Sequence, residues 1–164
     1  MTAVRILGVG SPSGDDQAGW LVVRELERTD LIGRLRCRAS ILALDRPGAR
    51  LIEYLEGADL VVLIDAMCSG APPGTISRLD VARCIPQERP VSAHEFGVVS
   101  ALELARALGG LPSCVLFYGI EIASAKPASR PGEPVKAAAT RLAQIIAREL
   151  AQRFGISAGS DAVV

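Results

Sequence analysis

Residues 59–67 read DLVVLIDAM, and this stretch decides the fold. Its apolar centre is continuous rather than alternating, which is typical of a strand that is covered on both faces. Strands of that kind belong to parallel sheets with helices packed on either side. The stretch therefore predicts a central strand of an α/β domain, with Asp65 near its carboxyl end.

Apolar runs and amphipathic segments alternate along the rest of the chain. Four further strands are predicted over residues 3–10, 36–45, 75–81 and 113–122. Helices are predicted over residues 14–30, 47–58, 98–110 and 134–154. This alternation indicates a three-layer α/β fold, in which helices flank both faces of a mostly parallel sheet of about five strands. We expect residues 1–154 to form one domain and residues 155–164 to form a flexible C-terminal tail.

The charge balance argues against nucleic acids and anionic membranes as the main partner of this protein. The chain has 164 residues, and 18 basic residues balance 18 acidic ones, so the formal net charge is zero. Nucleic acids and anionic membranes both attract a basic surface, which this composition does not provide. No apolar run approaches the ~18 residues that suggest a membrane span, and the first residues do not resemble a signal peptide.

The cysteines give no sign of a structural metal or a disulfide framework. Cys37, Cys68, Cys84 and Cys114 lie far apart in the sequence and form no C-x-x-C pair. Zinc knuckles and dense disulfide scaffolds both require closer, repeated spacing. We expect a cytoplasmic protein with reduced thiols, and we expect it to be a monomer.

Four polar residues stand where parallel sheets carry their sites, just beyond the carboxyl ends of strands. Asp15 and Asp16 lie in the loop after the first strand, Asp65 closes the central apolar run, and His94 precedes a helix. All three segments are expected to open onto the same edge of the sheet. Two carboxylates and one imidazole suit a divalent transition metal and leave coordination positions open.

Each of these residues also has an ordinary structural explanation. An aspartate at a helix start often caps the helix, although two adjacent carboxylates repel each other unless a cation lies nearby. Asp65 could simply accept hydrogen bonds from loop amides, and His94 could cap a helix or pack. The joint arrangement of the residues, rather than any one of them, favours the metal site.

The segment Gly8-Val9-Gly10 leaves a nucleotide-binding α/β enzyme as an alternative. Its spacing is G-x-G-x-x-x-G, because Ser13 stands at the third-glycine position and Gly14 follows it. Dinucleotide-binding loops have G-x-G-x-x-G, and Asp45 could imitate the acid that holds the ribose. However, a pyrophosphate would meet the fixed negative charge of two aspartates in this loop. We therefore expect the glycines to permit a sharp turn instead.

Three motifs together resemble those of the hydrogenase maturation endopeptidases. They are LGVGSPSGDDQAG at residues 7–19, LIDAMCSGAPPGT at residues 63–75 and SAHEFG at residues 92–97. This family processes the large subunit of nickel–iron hydrogenases, and the resemblance extends from the first strand to the residues GIEIAS. It implies a twisted five-stranded sheet flanked by helices. It also implies removal of a C-terminal extension from the large-subunit precursor once nickel has been inserted.

Carried over residue by residue, the resemblance implies that Asp16, Asp65 and His94 bind the metal and take part in catalysis. The first loop is about one residue shorter than in some relatives, so Asp15 is the alternative ligand, and it is also a candidate general base. The implied nickel is carried by cysteines of the precursor, and other divalent cations could occupy the site in vitro. A non-catalytic module that only docks the precursor is a further alternative.

Overall fold

The computed structural model describes residues 2–35, 37–79, 81, 97–123 and 130–156. Five strands are described: β1 Ala3–Gly10, β2 Arg38–Asp45, β3 Leu60–Met67, β4 Ile76–Leu79 and β5 Cys114–Glu121. The described helices are α1 Ala18–Glu27, α2 Leu31–Arg34, α3 Leu51–Leu55, α4 Val98–Ala107 and α5 Glu133–Arg153. Most of the predicted tail, together with His94 and Cys84, lies outside the described residues.

The strands form one sheet in the order β2-β1-β3-β5-β4. All neighbouring pairs are parallel except β4 with β5, which is antiparallel. The predicted mostly parallel sheet of five strands is therefore confirmed. β3 lies in the middle of the sheet, and its residues from Val61 to Ile64 are each 0% exposed, as its continuous apolar run predicted.

Helices cover both faces of the sheet, and alternate side chains of each strand point to opposite layers. On one face, Ile6 of β1 and Val62 of β3 pack with α1 and α5. On the other face, Leu7 and Leu63 pack with α3 and α4. The three-layer arrangement follows from this alternation, because successive strand residues point to opposite sides.

Two predicted helices are shorter than expected. The segment over 14–30 begins with a 3-10 turn, Gly14–Gln17, before α1 starts. The segment over 47–58 contains a 3-10 turn, Gly48–Arg50, and only five residues of α3, and Gly57 follows it with a φ of +70°. Glycine adopts this left-handed conformation without a steric penalty, and so it ends the helical segment. α2, a helix of about one turn, was not predicted.

The glycines of the first motif bring β1 and α1 into close contact. A Cβ at Gly8 would lie 2.3 Å from the carbonyl oxygen of Gly19, and a Cβ at Gly10 would lie 2.3 Å from that of Asp16. Any side chain at these positions would force the strand and the following turn apart. The glycine spacing thus has a packing explanation that requires no nucleotide.

No helix within the described part of the chain is both long and apolar enough to cross a membrane. Three of the four cysteines, Cys37, Cys68 and Cys114, are described, and each is a free thiol.

Candidate functional site

Asp16 and Asp65 line the same cavity at the carboxyl edge of the sheet. β1 and β3 are adjacent parallel strands, paired from Val4 with Leu60 to Gly8 with Ile64, so the segments that follow them emerge side by side. The cavity has a volume of about 210 Å³. The residues that line it are Val9, Gly10, Asp16, Arg46, Pro47, Gly48, Leu51, Asp65, Gly97 and Val98.

Asp65 is partly buried, and its side chain accepts one hydrogen bond from the described residues. The N–H of its neighbour Ala66 donates to Asp65 Oδ1 at 2.9 Å. Burial raises the pKa of Asp65 to about 7, the Ala66 N–H opposes that rise, and the negative charge of Asp16 adds to it. Burial and a like charge both disfavour the ionised form. A cation placed between Asp16 and Asp65 would relieve both effects.

Asp15 has a different set of contacts from its neighbour. The Gly132 N–H donates to Asp15 Oδ1 at 2.6 Å, and the Ala123 N–H approaches Oδ2 at 3.4 Å. Gly132 is the residue that caps the start of α5, whereas the cap of α1 is Gln17, which makes no side-chain capping bond. The alternative that one aspartate of the pair caps its own helix has no side-chain capping bond to support it among the described residues. Asp15 instead joins the first loop to the segment after β5 and to the start of α5.

The turn after β2 contributes cavity residues that the sequence analysis missed. Arg46 lines the cavity and has a φ of +41°, an uncommon conformation for a residue with a side chain. Its Nε donates to Asp45 Oδ1 at 2.7 Å and a terminal nitrogen donates to Oδ2 at 3.3 Å. The hydrogen bond from Arg46 lowers the pKa of Asp45. Asp45, the candidate ribose ligand of the nucleotide-binding alternative, thus pairs with Arg46.

Glu121, at the end of β5, is a second residue that the sequence analysis missed. It is only 2% exposed, and it accepts hydrogen bonds from Ser69 N–H at 2.7 Å, Ser69 Oγ at 2.8 Å and Gly70 N–H at 2.9 Å. Burial would raise the pKa of Glu121, but the bonds from Ser69, Gly70 and Ala71 outweigh it and lower the pKa. Glu121 therefore fixes the loop that carries the chain from β3 across the end of β5 to β4.

Asp65 was a candidate because it lies at the carboxyl end of a strand, and the same reasoning applies to Glu121. Both residues lie near the carboxyl ends of buried parallel strands, where polar side chains of such sheets converge. In the sequence, Glu121 lies within the apolar stretch GIEI, which conceals its position at the strand end.

The third motif reaches the cavity through its last residue. Gly97 of SAHEFG lines the cavity beside Asp65, whereas His94 lies outside the described residues. Within the described ranges, no three His, Cys, Asp or Glu residues are grouped so that they could hold a metal ion. Cys68 is exposed and is not among the residues that line the cavity.

Comparison with known proteins identifies the family. The family model described as hydrogenase maturation protease matches residues 38–149. The hydrogenase expression/formation protein HupD of Thiocapsa roseopersicina is 28% identical over 121 residues. That match covers 72% of this chain and 53% of HupD, so the chain spans about half the length of that relative.

Two solved structures resemble the whole described fold. The hydrogenase maturating endopeptidase HybD from E. coli has a TM-score of 0.74 and 23% identity, with 93% of this chain and 94% of HybD covered. A hydrogenase 2 maturation peptidase from a Thaumarchaeota archaeon has a TM-score of 0.65 and 27% identity, with 91% of this chain and 98% of that chain covered. HybD shares the same α/β architecture, and the match of the family model covers most of the chain. This chain belongs to the hydrogenase maturation protease family.

Proposed function

We propose that the protein is an endopeptidase that removes the C-terminal extension from a nickel-loaded precursor of a nickel–iron hydrogenase large subunit. The observation that carries the proposal is the shared cavity of Asp16 and Asp65. Family membership supplies the class of reaction and the kind of substrate. In this proposal, the carboxylates of Asp16 and Asp65 recognise a cation that arrives with the substrate, and their shared cavity supports that role.

The nickel ion is part of the substrate in this proposal. Asp16 and Asp65 provide oxygen ligands, and His94 provides a nitrogen. A site without thiolates holds nickel loosely on its own, so the precursor's cysteine thiolates complete the coordination. In the sequence, His94 lies three residues before Gly97, which lines the cavity.

The pKa of about 7 for Asp65 gives the cavity a means of sensing the ion. Without a cation, Asp65 is partly protonated at neutral pH, and its burial beside Asp16 is unfavourable to the ionised form. A nickel ion would favour ionisation of Asp65 and could polarise the scissile carbonyl, which assists attack by water. Cleavage would then require a loaded precursor, and the metal would act as a checkpoint.

We assign Asp15 a positioning role rather than the role of general base. Its two carboxylate oxygens face the N–H groups of Gly132 and Ala123, and it is not among the residues that line the cavity. A general base must come within hydrogen-bond reach of the proton that it removes. Asp16 is therefore the proposed first-loop ligand, and Asp15 holds that loop in place.

The test compares nickel-loaded and nickel-free precursor, with mass spectrometry of the products. We expect loss of the C-terminal peptide from the loaded precursor alone. Asp16→Asn, Asp65→Asn and His94→Ala should each abolish cleavage, while Asp15→Asn, the matched control, should still cut. Normal cleavage by Asp16→Asn together with loss in Asp15→Asn would reverse the assignment of the pair. Tight binding without cleavage by the wild-type protein would favour the docking module.

The remaining expectations belong to the same proposal. We propose a monomer that acts in the cytoplasm, with other divalent cations able to enter the cavity in vitro. Sedimentation at several concentrations tests the first point, and fractionation of cells expressing the protein tests the second. Titration of the isolated protein with cadmium or zinc tests the third, since both ions accept oxygen and nitrogen ligands.

A further inference from the structure

β2 is an edge strand whose outer side has no partner within the described residues. Its one described neighbour is β1, with which it pairs from Ala3 with Arg38 to Gly10 with Asp45. The segment between its two ends, ASILAL, has no charge and no proline. Natural proteins usually protect an edge of this length with charges, prolines or a covering segment. An open and uncharged edge is a place where another extended chain can pair.

Two hydrogen bonds establish which backbone groups of β2 point outward. The Arg38 N–H donates to Thr2 O at 3.1 Å, and the Arg46 N–H donates to Gly10 O at 2.9 Å. Residues two apart in a strand point their backbone groups to the same side, so the even-numbered residues of β2 face β1. The N–H and C=O groups of the odd-numbered residues therefore face outward. These residues are Ala39, Ile41, Ala43 and Asp45.

The edge leads directly to the cavity that holds Asp16 and Asp65. β2 ends at Asp45, and the next three residues, Arg46, Pro47 and Gly48, line the cavity. Leu42, in the middle of β2, is one of three large hydrophobic side chains exposed on the described surface, with 37% of its area accessible. A strand added beside β2 would cover Leu42 and would have one end at the cavity.

We propose that the C-terminal extension of the precursor binds as an added strand along the outer side of β2. This inference rests on the proposed function. The nickel-bearing segment precedes the scissile bond, so when the nickel lies in the cavity the extension continues away from it. The added strand therefore runs from the Asp45 end of β2 toward the Arg38 end, antiparallel to β2. Backbone hydrogen bonds supply affinity in this mode of recognition without requiring one particular sequence.

One antiparallel register of β2 with a second copy of the chain is disfavoured by like charges. In an antiparallel pair, two opposing residues either both direct their backbone N–H and C=O groups toward the partner strand or both direct them away. When β2 pairs with β2 of another copy, odd-numbered residues must therefore stand opposite odd-numbered ones, and even-numbered residues opposite even-numbered ones. Arg38 therefore cannot stand opposite Asp45 of another copy. The register centred on Leu42 would place Arg38 opposite Arg46, and like charges in that position are destabilising.

The test is hydrogen–deuterium exchange of individual backbone amides, measured on isotope-labelled protein with and without saturating nickel-loaded precursor. In the free protein, the amides of Ser40, Leu42 and Leu44 should exchange slowly and those of Ala39, Ile41, Ala43 and Asp45 quickly. Precursor should slow exchange of the second group by at least tenfold. Unchanged exchange of these amides while the precursor is bound and cut would overturn the inference and leave the proposed function intact.

A pair of variants tests the same inference by kinetics. Ala43→Pro removes one outward N–H and leaves the bonds to β1 in place, because proline is tolerated on edge strands where its nitrogen faces solvent. We expect about a tenfold increase in KM for the precursor with kcat unchanged, whereas Ala43→Val, which keeps the N–H, should behave like wild type. An unchanged KM in a folded Ala43→Pro protein would contradict the inference.

Three other outcomes are informative. If the outward amides of the free protein are already protected in a concentration-dependent way, the edge is an interface between copies and the inference is wrong. If the precursor is neither bound nor cut, the proposed function fails and this inference fails with it. Should Ala43→Pro not fold, the exchange measurement on the wild-type protein decides alone.

Discussion

Two strand-end carboxyl groups on neighbouring strands, Asp65 and Glu121, differ sharply in their surroundings. β3 and β5 are paired in register, with Asp65 opposite Gly119 and Met67 opposite Glu121. Glu121 is buried among donors from the β3–β4 loop, and its pKa is lowered. Among the described residues, Asp65 has one donor and a nearby carboxylate, and burial raises its pKa to about 7. Burial disfavours ionisation of both groups, and the number of donors decides the outcome.

This contrast separates a structural acid from an acid that can sense a cation. Glu121 already has partners for its charge, so a metal ion would have little to add. Asp65 carries an electrostatic cost that a cation would remove. The carboxyl edge around Asp16 and Asp65 is therefore the place where we propose that a metal-bearing substrate binds, whereas Glu121 holds the β3–β4 loop in place.

The largest expected difference between the two acids is in catalysis. Asp65→Asn should lower the rate of precursor cleavage by about 100-fold or more, because a proposed nickel ligand is lost. Glu121→Gln keeps a side chain of the same shape that can still accept from the loop, so cleavage should remain within about tenfold of wild type. Single-turnover rates with nickel-loaded precursor measure both. Equal losses in the two variants would remove the functional distinction.

The second difference is in stability at alkaline pH without metal. Because the pKa of Asp65 is higher in the folded protein than in the unfolded chain, the protonated side chain stabilises the folded protein. This contribution is fully present below the unfolded pKa of about 3.9 and is lost as the pH rises through about 7. Asp65→Asn should therefore raise the free energy of unfolding at pH 8, by at most about 4 kcal/mol, and by much less near pH 4.

Urea denaturation with a chelator present, at both pH values, measures this effect. Asp16→Asn serves as the companion variant, because removal of the nearby charge should give part of the same gain at pH 8. A destabilised Asp65→Asn protein at pH 8 would contradict the strained environment inferred for Asp65.

The third difference is in the stability that Glu121 contributes, which depends on pH in the opposite direction from that of Asp65. A lowered folded-state pKa for Glu121 stabilises the protein above the unfolded pKa of about 4.3, and this contribution is lost as pH falls through the folded value. Glu121→Gln should lower the urea midpoint at pH 7, with a gap to wild type that narrows below about pH 4. Ser69→Ala, which removes one donor to Glu121, should show a weaker form of this behaviour.

The smallest effect is expected at Asp15. Asp15→Asn retains an oxygen that can accept from Gly132 N–H, so the cost in unfolding free energy should be about 0.5–1 kcal/mol. Thermal unfolding of the variant at neutral pH measures it. A loss several times larger would mean that Asp15 has a role beyond joining the first loop to α5.

The architecture could be predicted because each element follows from local chemistry. The apolar run of β3 requires cover on both faces, and alternation with amphipathic segments requires a parallel sheet. That Asp16 and Asp65 lie near each other could be predicted because strand ends converge on one edge. Their common cavity follows from the pairing of β1 with β3, which the order of elements suggests and the structure establishes.

Other features depend on contacts that the sequence does not reveal. Asp15 binds the N–H of Gly132, which lies 117 residues away, so no local pattern separates it from Asp16. Arg46 adopts a positive φ that arginine does not favour by itself. Glu121 appears as a charge inside an apolar stretch, and only the path of the β3–β4 loop supplies its donors.

The most direct test of the central claim is X-ray absorption at the nickel edge of loaded precursor, recorded with and without this protein. We predict that wild-type protein adds oxygen or nitrogen ligands to a thiolate-rich nickel site, and that the change is lost with the Asp16→Asn, Asp65→Asn double variant. Identical nickel spectra in the free precursor and in a complex shown to have formed would contradict the account.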